Sequence, residues 1–194
     1  AMEKMKIKLK KISVIAILTC VFATCCGAFG DTVTLAPTDD TYVNQQWAAS
    51  SFGTAITMGI GYATGTPANR QGWIYLKFGL DSIPDGATIT SATIYLYKPY
   101  VNTNNDFIAG IYNVDNDSWT ENTITWNNKP DTATTATDNQ SITSANVQWY
   151  SWDVTTLVTS NNINGDDILS LCLKENPQQT TINTWTAFAS SNYA

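Results

Sequence analysis

There is no histidine anywhere in the 194 residues. That absence removes the usual general base, the usual activator of a nucleophile and the commonest transition-metal ligand together. Cysteine is nearly missing from the body of the chain as well. Cys20, Cys25 and Cys26 cluster near the N-terminus and leave Cys172 alone. A lone thiol forms no internal disulfide, and without a neighbouring base it is a poor nucleophile, so Cys172 reads as a small residue packed in a strand. Basic side chains are scarce too. Between residues 31 and 194, Arg70, Lys77, Lys98, Lys129 and Lys174 stand against fifteen carboxylates, a net charge of −10. Such a surface repels nucleic acid and anionic membranes, because both are held by Lys and Arg that neutralise phosphate. No apolar run reaches the ~20 residues of a membrane-spanning helix. No apolar pattern of helical period outlasts two turns, which excludes helical and α/β folds.

Lysine is concentrated instead at the start, at Lys4, Lys6, Lys8, Lys10 and Lys11. An apolar run over 12–23 follows, then the small residues Cys26-Gly27-Ala28. A basic stretch, a short apolar run and a small-residue exit make the pattern of a secretory signal peptide, with cleavage after Ala28 or Gly30. Phe22-Ala23-Thr24 is a poor lipidation signal ahead of Cys25. The expectation is an exported protein, secreted or held at the cell surface. Residues 1–30 are its leader, and 31–194 form one domain large enough for a sizeable core.

That domain is rich in short runs of threonine, valine, isoleucine and aromatics, punctuated by Asn, Asp, Gly and Pro, which is the pattern of an all-β fold. Strands are predicted over 56–61, 73–78, 88–97, 107–114, 148–153, 168–174 and 185–189. Ile74, Leu76 and Phe78 fall on one face of their strand, with Trp73, Tyr75 and Lys77 on the other. Leu169, Leu171 and Leu173 likewise share a face opposite Ser170 and Cys172. Ile83-Pro84-Asp85-Gly86 predicts a turn, since Pro84 presets φ and Gly86 tolerates a positive one. Asp153 is placed to cap a short helix. The Asn-rich stretches 102–106, 113–117 and 161–167 read as loops.

Three segments are more particular than strand sequence requires: WIYLKFGLDSIP (73–84), DSWTENTITWNNKP (117–130) and WDVTTLV (152–158). In that order they resemble the DNRLRE family, also called disaggregatase-related domains or carbohydrate-binding module family 96. The resemblance runs from about residue 39 to the end. It implies a single jelly-roll-like antiparallel β-sandwich that recognises an extracellular or cell-wall polysaccharide, often beside further catalytic or surface-layer domains of one longer polypeptide. It also implies a final apolar strand after the serine-rich turn at Ser190-Ser191, and the chain reaches Ala194 without one. Trp119, Trp126 and Trp152 belong to the shared signature and are expected in the core. Glu121 and Asn127 are expected to bond the loop backbone between the first two. One departure is Gly79, where relatives commonly carry an aspartate after the phenylalanine.

Candidate chemistry is limited by the missing histidine. Carboxylates occur in pairs, at Asp39-Asp40, Asp115 and Asp117, and Asp166-Asp167, with Glu121 apart. A glycosidase needs two across a sugar, but these stand among Asn and Gly as solvated turn residues do, so no catalytic residue is assigned. Calcium takes six to eight oxygen ligands, and Asp39 and Asp40 are the chosen candidates because the resemblance places an aspartate in the equivalent of Asp40-Thr41-Tyr42-Val43. Sugar rings stack on exposed aromatics while Arg, Asn and Gln bond their hydroxyls. Trp47 in the polar loop 44–53, Tyr62 in 59–65 and Tyr100 before 101–106 are the candidate stacking residues. Arg70 is the candidate partner for a sugar carboxylate. Two other functions fit the same sequence: an envelope or adhesion domain without a sugar site, and the non-catalytic part of a longer polysaccharide-degrading enzyme.

Overall fold

Alternation with period two over 73–78 lets one strand supply both faces of a sheet, and the structure is arranged around that strand. The computed structural model describes residues 16–23, 30–65, 70–84, 87–164 and 167–193. Its elements are β1 (Ala16–Ala23), β2 (Gly30–Leu35), β3 (Asp39–Asn44), a 3₁₀ turn (Gln45–Trp47), β4 (Thr57–Ala63), β5 (Arg70–Gly79) and β6 (Thr88–Lys98). Then follow β7 (Phe107–Asn113), β8 (Asp138–Ile142), β9 (Gln148–Asp153), α1 (Thr155–Asn164), β10 (Ile168–Glu175) and β11 (Thr186–Ala189). Each of the seven predicted strands is present, shifted by a few residues at most. The predicted turn at 83–86 lies partly outside the described residues, at Asp85 and Gly86; beside it the Ala87 N–H donates to the Pro84 carbonyl at 3.0 Å.

The strands form two antiparallel sheets, one ordered β2-β1-β6-β9 and the other β11-β4-β5-β10-β7-β8, with β3 also paired to β5. Their facing sides share one core. Ile74, Leu76 and Phe78 of β5 and Leu169, Leu171 and Leu173 of β10 meet Ile94 and Leu96 of β6 and Trp152 of β9, all fully buried. Trp152 satisfies its indole N–H on the Ala109 carbonyl at 2.9 Å, so a polar edge is buried without an unpaired donor. The fold is therefore an all-β sandwich.

The larger sheet is covered on its second face as well. Tyr75 and Cys172 point outward from it and pack with Val43, Val114, Trp119 and Ile124, with Trp73 and Trp126 against the edge of the cluster. The cover is the loop 117–130, the most particular segment of the sequence. Asp153 caps α1 as expected, accepting from the Thr155 N–H at 2.8 Å and its hydroxyl at 2.6 Å. Those two bonds hold its carboxyl below the ordinary range.

Residues 16–23 belong to the segment read as a leader, and in the structure they form β1, antiparallel to both β2 and β6. Leu18 and Cys20 are fully buried there. The physical reason is shared between the two readings. A short apolar run satisfies a leader's apolar region and equally a strand with neighbours on both sides. In the full-length chain, Leu18→Ala is expected to cost about 2–5 kcal/mol of stability, as truncation in a packed core does. Urea unfolding measures it, and an unchanged midpoint would place 16–23 outside the sandwich.

Candidate functional site

The 117–130 loop is fastened from below by a cation. Lys77 Nζ on β5 lies 4.5 Å from the centroid of the Trp119 ring, donates to the Trp119 carbonyl and stands 3.6 Å from Asp39 Oδ2. Trp119, only 6% exposed, packs edge-on to Tyr75 at 5.7 Å and gives its indole N–H to Ser170 Oγ at 3.2 Å. Further along, Trp126 meets Trp73 at 5.1 Å, and Lys129 sits over both rings, at 4.0 and 5.0 Å. Tyr75 closes the loop by donating to the Pro130 carbonyl at 2.9 Å. Trp119 and Trp152 are buried as expected, while Trp126 is only half-buried. The side chain that satisfies the loop's backbone is Asn128, not Asn127. Asn128 Oδ1 accepts from the Thr125 N–H at 2.6 Å, and its Nδ2 donates to the Thr123 carbonyl at 3.0 Å. Glu121 reaches outward and accepts from the Asp40 N–H at 3.2 Å.

The same loop pins a second one. The Asn127 N–H donates to the Ala48 carbonyl at 3.0 Å. The Glu121 backbone closes on Gly53 so tightly that a Cβ there would lie 2.5 Å from the Glu121 carbonyl oxygen. Held between the end of β3 and the Ala48 contact are the 3₁₀ turn and Trp47. Asn44 ends β3 and caps the turn, accepting from the Gln46 N–H at 2.9 Å. The turn swings Trp47, 47% exposed, toward Arg70 at the start of β5. The Arg70 guanidinium lies 5.8 Å from the centroid of Trp47 and 5.3 Å from that of Trp185. Trp185 rests on glycine. A Cβ on Gly59 would stand 2.2 Å from its ring and one on Gly72 2.7 Å from it, so only bare backbone admits the indole. Arg70 Nε, Gln46 Oε1 and Asn44 Nδ2 are buried here with no hydrogen-bond partner among the described residues.

The remaining candidates fall elsewhere. Tyr62 is not a loop aromatic: it lies within β4, is 4% exposed and has its backbone bonded to Thr184, so it offers no face for stacking. Its neighbours Gly59 and Gly61 are strand glycines, as the predicted strand over 56–61 has them, and they make room for Trp185 and Thr184. Tyr100 is exposed, and its ring contact is Tyr193 at 6.3 Å, away from the Trp47 group. Asp39 and Asp40 act as fasteners. Asp39 Oδ1 accepts from the Glu121 N–H at 3.0 Å, and Asp40 accepts from Ser191 twice, from the N–H at 2.7 Å and from the hydroxyl at 2.5 Å. Among the described residues no three acidic or cysteine side chains are grouped as a metal cage. Cys172 is fully buried, and that burial pushes its thiol up to about 12, out of reach of thiolate chemistry at neutral pH. Sequence reasoning missed Trp185, whose only advance signal was a tryptophan following the polar stretch 176–184.

Across residues 31–194 the chain matches the sequence profile of carbohydrate-binding module family 96. The chain belongs to that family. It is also 31% identical over 134 residues to a gellan lyase of a Bacillus species, a stretch that covers 68% of this chain and 5% of that protein. The chain thus spans a small fraction of the length of the curated relative it matches. A family 96 module is non-catalytic.

Burial holds the Asp40 carboxyl above the ordinary range in spite of the two bonds from Ser191, with Asp39 adding to the rise. A carboxyl that binds its proton more tightly folded than unfolded withdraws stability as pH climbs from the unfolded value of about 3.9 through the folded one. Asp40→Asn keeps one acceptor for the Ser191 N–H, turns its amide N–H as donor to the Ser191 hydroxyl oxygen, and loses the titration. Its urea midpoint is expected to gain on that of the parent protein between pH 4 and pH 7. A gap that moves the other way would contradict the sign.

Proposed function

We propose that this family 96 module recognises an extracellular or cell-wall polysaccharide through the cluster of Trp47, Arg70 and Trp185. The observation that carries the reading is an exposed indole held beside a guanidinium, on a turn fixed between the end of β3 and the 117–130 loop. Trp47 offers an apolar face for a sugar ring, and the partly exposed Arg70 guanidinium beside it offers charged N–H donors to a hydroxyl or carboxylate. The basic, apolar and small-residue order of the N-terminus supports export, so the module works outside the cell or at its surface. Its likeness to 5% of a much longer gellan lyase supports a place as the non-catalytic part of a polysaccharide-degrading protein.

The ligand is sought first among polymers, with gellan included because the relative acts on it. Affinity electrophoresis through polymer-containing gels is expected to retard the parent protein. Trp47→Ala should weaken retardation on the bound polymer by roughly tenfold in Kd, about 1.4 kcal/mol, with unchanged thermal stability. Equal retardation of the parent and Trp47→Ala on every polymer that binds would move the site off this cluster.

A further inference from the structure

The smaller sheet turns one face to the core and the other to solvent, and the solvent face is aromatic. Along β6 the exposed or half-exposed side chains are Thr93, Tyr95 and Tyr97, alternating with buried Ala92, Ile94 and Leu96. Along β9 they are Trp149, Ser151 and, at the strand's end opposite Thr93, Asp153, alternating with buried Tyr150 and Trp152. Tyr97 and Trp149 are directly paired across the two strands, their rings 5.3 Å apart, and Tyr95 stands two residues along from Tyr97, about 7 Å away on the same face. Trp149 is 47% and Tyr95 38% exposed. A shallow depression of about 350 Å³ between Tyr95, Trp149, Ile17, Thr19 and Thr34 continues the face onto β1 and β2.

We infer that this face is a second, separate binding surface, and that its ligand is an uncharged polysaccharide chain. It takes its ligand class from the proposed carbohydrate function but shares no residue with the Trp47 cluster. The rows carry Thr93, Tyr95, Tyr97, Trp149 and Ser151 and no Lys, Arg or Glu; the nearest carboxylate, Asp153 at the end of β9, is turned into Thr155. In a domain of net charge −10, an acidic polymer meets no cation here and is repelled by the surroundings. A neutral sugar finds ring faces to stack on and the hydroxyls of Thr93, Ser151, Thr19 and Thr34 to bond. A protein partner is a poorer fit. Three partly covered rings fall short of the roughly 800 Å² per partner that a stable interface takes. The aromatic residues stand on β6 and β9, both inside the family-matched region, so the stacking rings lie outside the first thirty residues, and β1 adds only the Ile17 and Thr19 side of the depression.

The test uses the full chain, its Trp149→Ala and Tyr95→Ala variants, and gels containing hydroxyethylcellulose, xyloglucan, galactomannan or polygalacturonate. The parent protein is expected to be retarded by at least one neutral polymer, in a way that added salt does not weaken. Trp149→Ala is expected to raise that Kd at least tenfold and Tyr95→Ala severalfold. Thermal melts confirm folding, and Trp149→Tyr, which keeps a ring, should restore part of the affinity. The inference is overturned if no neutral polymer retards the parent, if Trp149→Ala binds as the parent does, or if sedimentation shows a dimer that Trp149→Ala abolishes. Loss of binding in Trp47→Ala alone would speak to the other cluster and against this face.

Discussion

A single ammonium group holds together the parts that matter. Lys77 leaves β5 on its outward face, lies against the Trp119 ring, donates to the Trp119 carbonyl and pairs with Asp39 on β3. Three segments distant in sequence meet on one cation. Its environment is partly desolvated, where cation–π and charge-assisted contacts are worth more than at an open surface. With the Tyr75 bond to the Pro130 carbonyl and the Trp119 bond to Ser170, that anchor draws the 117–130 loop onto the sheet and keeps Tyr75 and Cys172 on its second face from water. The most recognisable stretch of the chain is thus a cover before it is anything else.

Its influence on function is indirect. The cover grips the 44–56 region by the Asn127 to Ala48 hydrogen bond and by the close packing of Glu121 on Gly53. Trp47 sits between the end of β3 and the first of those grips. An exposed indole on a free loop would have to be ordered by its ligand at an entropic cost, whereas one on a pinned turn is positioned beforehand. The opposite wall is fixed by a different device, an indole laid on the bare backbone of Gly59 and Gly72. Arg70 stands over both rings. Signature residues build the support, and the residues available to a sugar lie in the loops they support.

Much of the architecture was legible because alternation in β5, β6 and β10 is strong and β-branched and aromatic residues fill it. The two faces of β5 were assigned correctly residue by residue. What alternation does not say is which face meets water, so Tyr95, Tyr97 and Trp149 carried no advance sign of their exposure. β8, with the sequence Asp-Asn-Gln-Ser-Ile, is not among the predicted strands because an edge strand can be polar along most of its length. Tyr62 was misplaced because glycines on both sides suggested a loop, when their purpose is close approach by Trp185 and Thr184. Trp185 itself was out of reach, since its partners Arg70 and Trp47 lie more than a hundred residues away. The segment 16–23 shows the limit most plainly, since one apolar run fits a leader and a strand equally well.

The central claim is that the signature tryptophans support the module while loop tryptophans meet the ligand. The seven indole N–H signals of a ¹⁵N-labelled chain report on it directly, titrated with an oligosaccharide of the polymer that binds. The account predicts that the signals of Trp47 and Trp185 move, and that those of Trp119 and Trp152 stay in place. Movement of Trp119 with Trp47 and Trp185 unshifted would contradict it.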